Sequence, residues 1–375
     1  MRISRRKFLI GLAAAGGTLA LSRPSLPFFG EQDFELLVIG DSLIAGQGLI
    51  EKDRSYNLFK DWLETEFFKG KRNVNLMNHS HSGASLFLAE REIEGLKKGN
   101  RDPKKAYHKE VNFSFPSISA QVEIAADEYK AKGLDAIDVD MVLMSGSLTD
   151  ITSKKILDAF DRYGPLHKLI EKHCYEGMFR FLETATNVFP SAVFTIVSYF
   201  PMVSKKSSSG EIYNAVLELY DYPGFTKPIL NNIVTKQFFK ILHNRLNKRS
   251  RIFYEESSEA IKKAIKRINE KNGRLSAVFV ESPIPVDRSF ETKDSLLWGM
   301  GKKGRADDDM YDIRVEECGK AFKDIEDLDL PYGKRFCELS GIGHPNPEGA
   351  RLYAEAIANK IKELSQKGVF RVPQT

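Results

Sequence analysis

A serine and a histidine in this sequence are of the types that perform nucleophilic catalysis. Ser42 stands in Gly40-Asp-Ser-Leu43, directly after an apolar run, and His344 stands in Gly343-His-Pro-Asn-Pro-Glu-Gly349. A serine hydroxyl becomes a nucleophile when a base takes its proton, and N–H groups must then stabilise the oxyanion that forms. Ser42 and His344 can supply the hydroxyl and the base. The backbone near Ser42 and Gly83 can supply the donors, because a glycine lets the chain approach a substrate oxygen closely.

Five short apolar segments predict the strands that position these residues: Phe34–Ile39, Val74–Asn78, Val139–Ser145, Ala192–Ser198 and Leu275–Glu281. Helical patterns separate them, at Tyr56–Phe68, from Pro116 to about Lys132, at about Leu166–Val188, at about Glu255–Asn272 and at Ala350–Leu364. Strands that alternate with helices favour a three-layer α/β/α domain around a parallel sheet. Ser42, Gly83, the turn 146–150 and His344 then lie at carboxyl ends of strands or before a helix. In a parallel sheet these positions converge on one edge.

Two stretches interrupt the alternation within the domain that we assign to residues 31–375. Residues 205–250 begin with the run Lys-Lys-Ser-Ser-Ser-Gly, which is typical of a flexible segment, and aromatic residues then alternate with basic ones. This pattern predicts either a mostly helical excursion that covers the site or an ordinary pair of surface helices. Residues 283–340 are charged and irregular, which predicts a second long excursion.

The motifs around Ser42, Gly83, residues 146–150 and His344 resemble the sequence blocks of the SGNH (GDSL-type) hydrolase family of esterases and lipases. They occur in the same order as in the family and span most of residues 34–364. The resemblance implies a flavodoxin-like sheet of five parallel strands, and no metal or organic cofactor. It implies Ser42 as the nucleophile and an oxyanion donor, Gly83 as a second donor and His344 as the general base. Gly146-Ser-Leu-Thr-Asp150 resembles the third block, which makes Thr149 a third candidate donor. The stretches Phe115–Gln121 and Tyr199–Ser204 resemble secondary features of larger exported members.

The sequence departs from the family pattern at two positions. The family's catalytic Asp lies three residues before the His, and this chain has Gly341 there. An Asp would fix the imidazole tautomer and stabilise the imidazolium. Its absence predicts a Ser-His dyad oriented by a main-chain carbonyl or an acid from elsewhere, for which Glu338 is the nearest candidate in sequence. The second departure is Thr149, which replaces the usual Asn and has a shorter reach than an amide.

These residues predict an exported serine hydrolase that cleaves a small-molecule or lipid ester through a dyad or an atypical triad. Two alternatives stay open. One is acyl transfer to or from an acylated glycan of the cell envelope, with the same residues. The other is an inactive binding protein on the same scaffold, which the departures at Gly341 and Thr149 suggest.

The first 30 residues predict how the protein reaches its destination. They contain five of the 56 basic residues and no acid, so 51 residues of each sign remain in the body. The body therefore lacks the basic excess that would favour nucleic acid. Ser4-Arg-Arg-Lys-Phe-Leu9 closely resembles the twin-arginine export signal, with the twin-arginine translocase as its partner and the periplasm or the extracellular space as the destination. A basic amphipathic N-terminus is the alternative. The apolar segment that follows is too short for an ordinary membrane span, and both cleavage and retention as a membrane anchor stay open.

The cysteines and one pair of histidines raise the question of other chemistry. Cys318 and Cys337 could form a disulfide in an oxidising compartment, or all three cysteines could be buried thiols. His79 and His81 are spaced for one face of a strand, but no nearby acid or cysteine completes a metal site. We therefore predict that these histidines form local hydrogen bonds.

Overall fold

The computed structural model describes residues 33–219 and 233–368, except 327, 329 and 331. Its centre is one parallel sheet of five strands: Phe34–Gly40 (β1), Val74–Asn78 (β2), Met141–Ser145 (β3), Val193–Val197 (β4) and Ala277–Val280 (β5). The strand order is β2-β1-β3-β4-β5. Every residue of β1, β3 and β4 is buried, as expected for strands covered by helices on both faces. The predicted three-layer α/β/α fold with a flavodoxin-like sheet is confirmed.

Helices cover both faces of the sheet: Ser42–Ala45 (α1), Ser55–Trp62 (α2), Glu90–Lys98 (α3), Ile118–Ala131 (α4), Leu148–Ile151 (α5), Ser153–Ile156 (α6), Tyr163–Ile170 (α7), Met178–Val188 (α8), Ser209–Leu219 (α9), Ile233–Asn272 (α10), Tyr311–Asp324 (α11), Lys334–Leu339 (α12) and Pro347–Gln366 (α13). Helices α2 and α13 pack together, while α4, α8 and α10 pack on the opposite layer. Two π-helical segments, Leu63–Phe67 and Glu171–Gly177, continue α2 and join α7 to α8. Short 3-10 turns occupy Glu51–Asp53, Ala136–Asp138, Val286–Arg288 and Lys302–Gly304.

The second excursion is more regular than the sequence suggests, while helices α9 and α10 occupy most of the described part of the first. The helix predicted from Glu255 is the second half of α10, which is 40 residues long. Helix α9 lies beside α12, where Glu218 and Arg335 are 3.5 Å apart. The rest of the first excursion, residues 220–232, lies outside the described residues. The second excursion, predicted to be irregular, contains α11 and α12, which a disulfide between Cys318 and Cys337 joins. Cys174 is a buried free thiol.

Candidate active site

The serine turn is held by a buried carboxylate. Ser42 is the first residue of α1, and the Asp41 carboxylate caps this helix by accepting the Leu43 N–H at 3.2 Å. The Ser145 hydroxyl at the end of β3 donates to Asp41 at 2.5 Å, and the Tyr199 hydroxyl donates to its other oxygen. Burial raises the pKa of Asp41, and the Ser145 and Tyr199 hydrogen bonds oppose that rise. The ends of three neighbouring strands therefore converge on one carboxylate that fixes the position of Ser42.

The histidine turn is held by the second excursion and by the start of α13. The Trp298 N–H donates to the His344 carbonyl at 2.8 Å, and the Gly343 N–H donates to the Trp298 carbonyl at 2.9 Å. The Asn346 side chain caps α13 by accepting the Gly349 N–H at 3.1 Å, and Pro347 occupies the first turn. Pro suits this place because the first helical N–H groups have no intrahelical acceptor. The His344 turn thus leads into the start of α13, and its backbone is hydrogen-bonded to the extended segment that contains Trp298.

These two turns bring Ser42 and His344 into contact. The distance between Ser42 Oγ and His344 Nε2 is 2.8 Å, although 302 positions separate the residues in sequence. Burial, and after it the positive charge of Arg314, lower the pKa of His344 to about 4. Carbonyl groups of residues 340–342 act in the opposite direction. The imidazole is therefore neutral near pH 7, which is the state that can accept a proton from the serine.

The opposite ring nitrogen of His344 does not meet Glu338. His344 Nδ1 is buried and has no hydrogen-bond partner among the described residues. The Glu338 carboxylate instead lies 3.2 Å from Arg335 and 3.5 Å from Lys334 on its own helix. Glu338, the nearest acid candidate in sequence, therefore does not orient His344 through Nδ1, because the last turn of α12 directs this carboxylate to its helical neighbours.

Arg314 belongs to a buried network that the sequence analysis missed. Its guanidinium contacts Asp308 at 2.5 Å and Glu110 at 2.9 Å, and Glu110 contacts Arg54 at 3.0 Å. All four side chains are at most 1% exposed. Asp308 lies in the run Asp307-Asp-Asp309, where sequence gives no sign of which acid turns inward. The only available signal was that a charged excursion precedes the histidine block directly.

The Gly83 turn lies beside the serine turn. The His81 N–H donates to the Gly40 carbonyl at 3.2 Å, which ties the end of β2 to the end of β1. Gly83 has φ +80°, and a Cβ there would lie 2.7 Å from the backbone N and O of Phe113. Only glycine fits this turn without a shift of the backbone. The backbone N–H groups of Ser42 and Gly83 donate to no other residue in the described part of the chain, which leaves both able to bind an oxyanion.

Thr149 lies in the short helix α5, directly after β3. Its hydroxyl makes no hydrogen bond to another residue that the structure describes. The neighbouring Asp150 carboxylate accepts the Leu86 N–H at 3.0 Å, so this turn is bonded to the chain that follows Gly83. Burial raises the pKa of Asp150 to about 7, with smaller contributions from the negative charges of Asp41 and Glu92.

A cavity of about 770 Å³ adjoins these two turns. Gly83, Thr149 and Asp150 form part of its lining, while Ser42 and His344 are not among the described residues that line it. The rest of the lining includes apolar side chains such as Phe87, cationic ones such as Lys172 and acidic ones such as Glu92 and Glu176. Of the candidate site residues, the cavity therefore adjoins Gly83 and Thr149.

The two histidines near Gly83 bind separate partners. Strand β2 ends at Asn78, so they do not share a strand face as their spacing suggested. Both His81 ring nitrogens contact backbone carbonyls, of Ser82 at 2.8 Å and Pro116 at 2.7 Å, while His79 lies 3.1 Å from Glu128. Within the described ranges no group of three or more acidic, histidine or cysteine side chains could hold a metal ion. Among the same residues no helix is both long enough and apolar enough to cross a membrane. The predicted leader, residues 1–30, lies outside the described residues.

Comparisons with known proteins find similar folds but no close relative. Neither protein-family models nor curated protein sequences match the chain. The solved structures it resembles include a carbohydrate esterase family 2 enzyme with a carbohydrate-binding domain from Corynascus thermopiles (Myceliophthora fergusii), at 13% identity over 91% of this chain and 69% of that one, with a TM-score of 0.39. An extracellular lipase from Streptomyces rimosus matches at 10% identity over 87% and 99% of the two chains, with a TM-score of 0.42. Phospholipase A1 from Streptomyces albidoflavus matches at 9% over 88% and 99%, with a TM-score of 0.41. Likeness at this level assigns no activity, which has to be argued from the side chains of the site.

Proposed function

We propose that this protein is a serine hydrolase of the SGNH type that cleaves carboxylic esters. The observation that carries the proposal is the 2.8 Å contact between Ser42 Oγ and His344 Nε2 at the carboxyl edge of a parallel sheet. A hydroxyl in contact with a neutral imidazole is the arrangement that nucleophilic catalysis requires. The N–H groups of Ser42 and Gly83, which donate to no other described residue, support the same proposal, because acyl transfer needs donors for the oxyanion.

The reaction follows from these groups. Ser42 Oγ attacks the ester carbonyl while His344 Nε2 takes the hydroxyl proton, and the N–H groups of Ser42 and Gly83 bind the oxyanion. Thr149 is a third candidate donor through its hydroxyl. The tetrahedral intermediate collapses when the protonated His344 gives its proton to the leaving alkoxide. Water then attacks the acyl-serine with His344 as its base, which releases the acid and restores the hydroxyl.

We propose that the ester has one apolar and one polar portion. Phe87 and Phe113 present aromatic surface to the cavity, while Lys172 and Arg180 present cationic groups. A small-molecule ester, a lipid ester and an acylated glycan all fit that description. Aryl esters, phospholipids and acetylated glycans are the substrates to compare.

We also propose export across the bacterial inner membrane, directed by Ser4-Arg-Arg-Lys-Phe-Leu9. The disulfide between Cys318 and Cys337 supports this, because disulfides persist in oxidising compartments and are rare in the cytosol.

Substitution of Ser42 by Ala tests the activity. Hydrolysis of a short-chain aryl ester and labelling by a fluorophosphonate probe should both fall to background in Ser42→Ala. The control Ser258→Ala, which removes a hydroxyl that donates to the Tyr254 carbonyl on α10, should keep both. Full hydrolysis by Ser42→Ala would overturn the proposal.

A further inference from the structure

The space beside His344 that would hold a triad Asp is already filled. A Cβ on Gly341 would lie 2.2 Å from Asp308 Oδ2 and 2.8 Å from Arg314 Nη2. No side chain fits at position 341 while Asp308 is there. The His344 N–H donates to the Gly341 carbonyl at 3.1 Å, so Gly341 and the histidine share one tight turn. A carboxylate therefore stands next to the histidine turn, but it comes from the second excursion.

Asp308 is held firmly in this position. Arg314 binds both of its oxygens, at 3.0 Å and 2.5 Å, and the Met310 N–H donates to it at 3.0 Å. Arg314 is itself fixed, because it donates to Glu110 at 2.9 Å and to the Glu338 carbonyl at 3.0 Å. Asp308 thus has little freedom to move away from the histidine turn.

The chemistry of His344 explains why a carboxylate there would matter. For Nε2 to accept the serine proton, the ring must carry its own proton on Nδ1, which is buried. When Nε2 is protonated the ring becomes a cation, and a neighbouring negative charge stabilises that state. A buried ion pair is by itself weak evidence for a role in stability, since apolar residues often replace one without loss. Asp308 lies against Gly341, in the turn that leads into the base, which gives this pair a second reason to exist.

We propose that Asp308 is the positioning carboxylate of His344, supplied from residues 283–340 in place of an Asp at position 341. The inference rests on the proposed hydrolase function. Asp308 acts on the base and does not touch the substrate. Gly341 is then the residue that leaves room for Asp308.

The first test substitutes Asp308 by Asn, which keeps an acceptor for Arg314 and removes the charge. Circular dichroism first shows that the variant is folded. Its kcat should then fall about tenfold or more while KM changes less than about twofold, because the substitution removes a charge that stabilises the protonated imidazole and not the bound substrate. The control Glu338→Gln removes a carboxylate that pairs with Arg335 and Lys334 on its own helix, and kcat should stay at the wild-type value. Equal kcat for Asp308→Asn and wild type would overturn the inference and leave a Ser-His dyad.

The second test moves the carboxylate. Gly341→Asp alone places a Cβ against Asp308 and should be poorly folded, and Asp308→Gly alone should lose activity. The double variant Asp308→Gly/Gly341→Asp vacates the space and offers Arg314 a new carboxylate. Its kcat should return to within about fivefold of wild type, because the charge again stands beside His344. A folded double variant no more active than Asp308→Gly would overturn the inference.

Failure of the proposed function has a different signature. It appears in the wild-type protein as absence of both ester hydrolysis and fluorophosphonate labelling, and that result overturns both proposals. Failure of the inference alone leaves the wild type active and Asp308→Asn equal to it.

Discussion

The low pKa of His344 predicts that hydrolysis continues in mild acid. An ordinary histidine titrates near 6.5, so its neutral fraction falls about 25-fold between pH 7 and pH 5. Burial and the charge of Arg314 lower the pKa of His344 to about 4. With that value about nine-tenths of the imidazole is still neutral at pH 5. The expected change in kcat/KM over this range is therefore about a tenth, and the steep loss begins only near pH 4.

The measurement is kcat/KM for a short-chain ester from pH 4 to pH 8, because this parameter reports the pKa of the free enzyme. Product is quantified by chromatography after quenching, so that the readout does not depend on pH. Ser42→Ala gives the background rate, and circular dichroism at each pH shows that the protein stays folded. A fall of tenfold or more between pH 7 and pH 5 that belongs to His344 would refute the reasoning.

Asp150 is a second group near the site that titrates in this range. Burial raises its pKa to about 7, so its protonation could change the rate between pH 7 and pH 5 without any change in His344. The profile is therefore repeated in Asp150→Asn, whose amide oxygen can still accept the Leu86 N–H. A loss that disappears in this variant belongs to Asp150, and a loss that persists belongs to the base.

Two further predictions concern the neighbouring turns. Between about pH 4 and pH 7 the Asp150 carboxyl is protonated in the native protein but ionised in the unfolded chain. Its ionisation therefore lowers the free energy of unfolding as pH rises through that window. Asp150→Asn should therefore gain about 2–3 kcal/mol more in unfolding free energy at pH 8 than at pH 5, measured by urea unfolding, and equal gains at both would contradict this. Gly83→Ala should lower kcat about 10²-fold, because its Cβ would push the Phe113 backbone and displace a candidate oxyanion donor. Gly70→Ala has a similar positive φ with nothing within 4 Å, so it controls for backbone strain and should leave kcat unchanged.

Periodicity and strand composition were enough to predict the fold because the sheet is buried on both faces. Val74–Asn78 is placed to the residue, and β3, β4 and β5 are shorter than predicted by one to two residues at one or both ends. The errors lie where the apolar pattern typical of an α-helix is interrupted or obscured. The helix predicted over Leu166–Val188 begins at Tyr163 and passes through a π-helical segment, and α10 begins 22 residues before its predicted start. Its first half belongs to a stretch whose aromatic and basic alternation obscured the helical period.

The residues around His344 were harder to predict, because they meet across long distances in the chain. Glu110 lies 204 positions from Arg314, and neither carries a local motif. Ser42 and His344 could be paired from sequence only because each sits in a recognisable block. A buried ion network has no such signature, since an acid that turns inward has the same letter as one that faces solvent.

The structure gives a physical reason for Gly341, the residue that made an inactive scaffold a plausible alternative. Gly341 alone suggests that the orienting acid has been lost, and the loss of that acid is a reason to expect an inactive protein. Yet any side chain at position 341 would collide with Asp308 and Arg314, whose ion pair is fully buried. A glycine is therefore what this packing requires, whether or not the protein is an enzyme. It follows that Gly341 is no independent evidence of lost activity, and that the substitution to examine is the exchange of a carboxylate between positions 341 and 308.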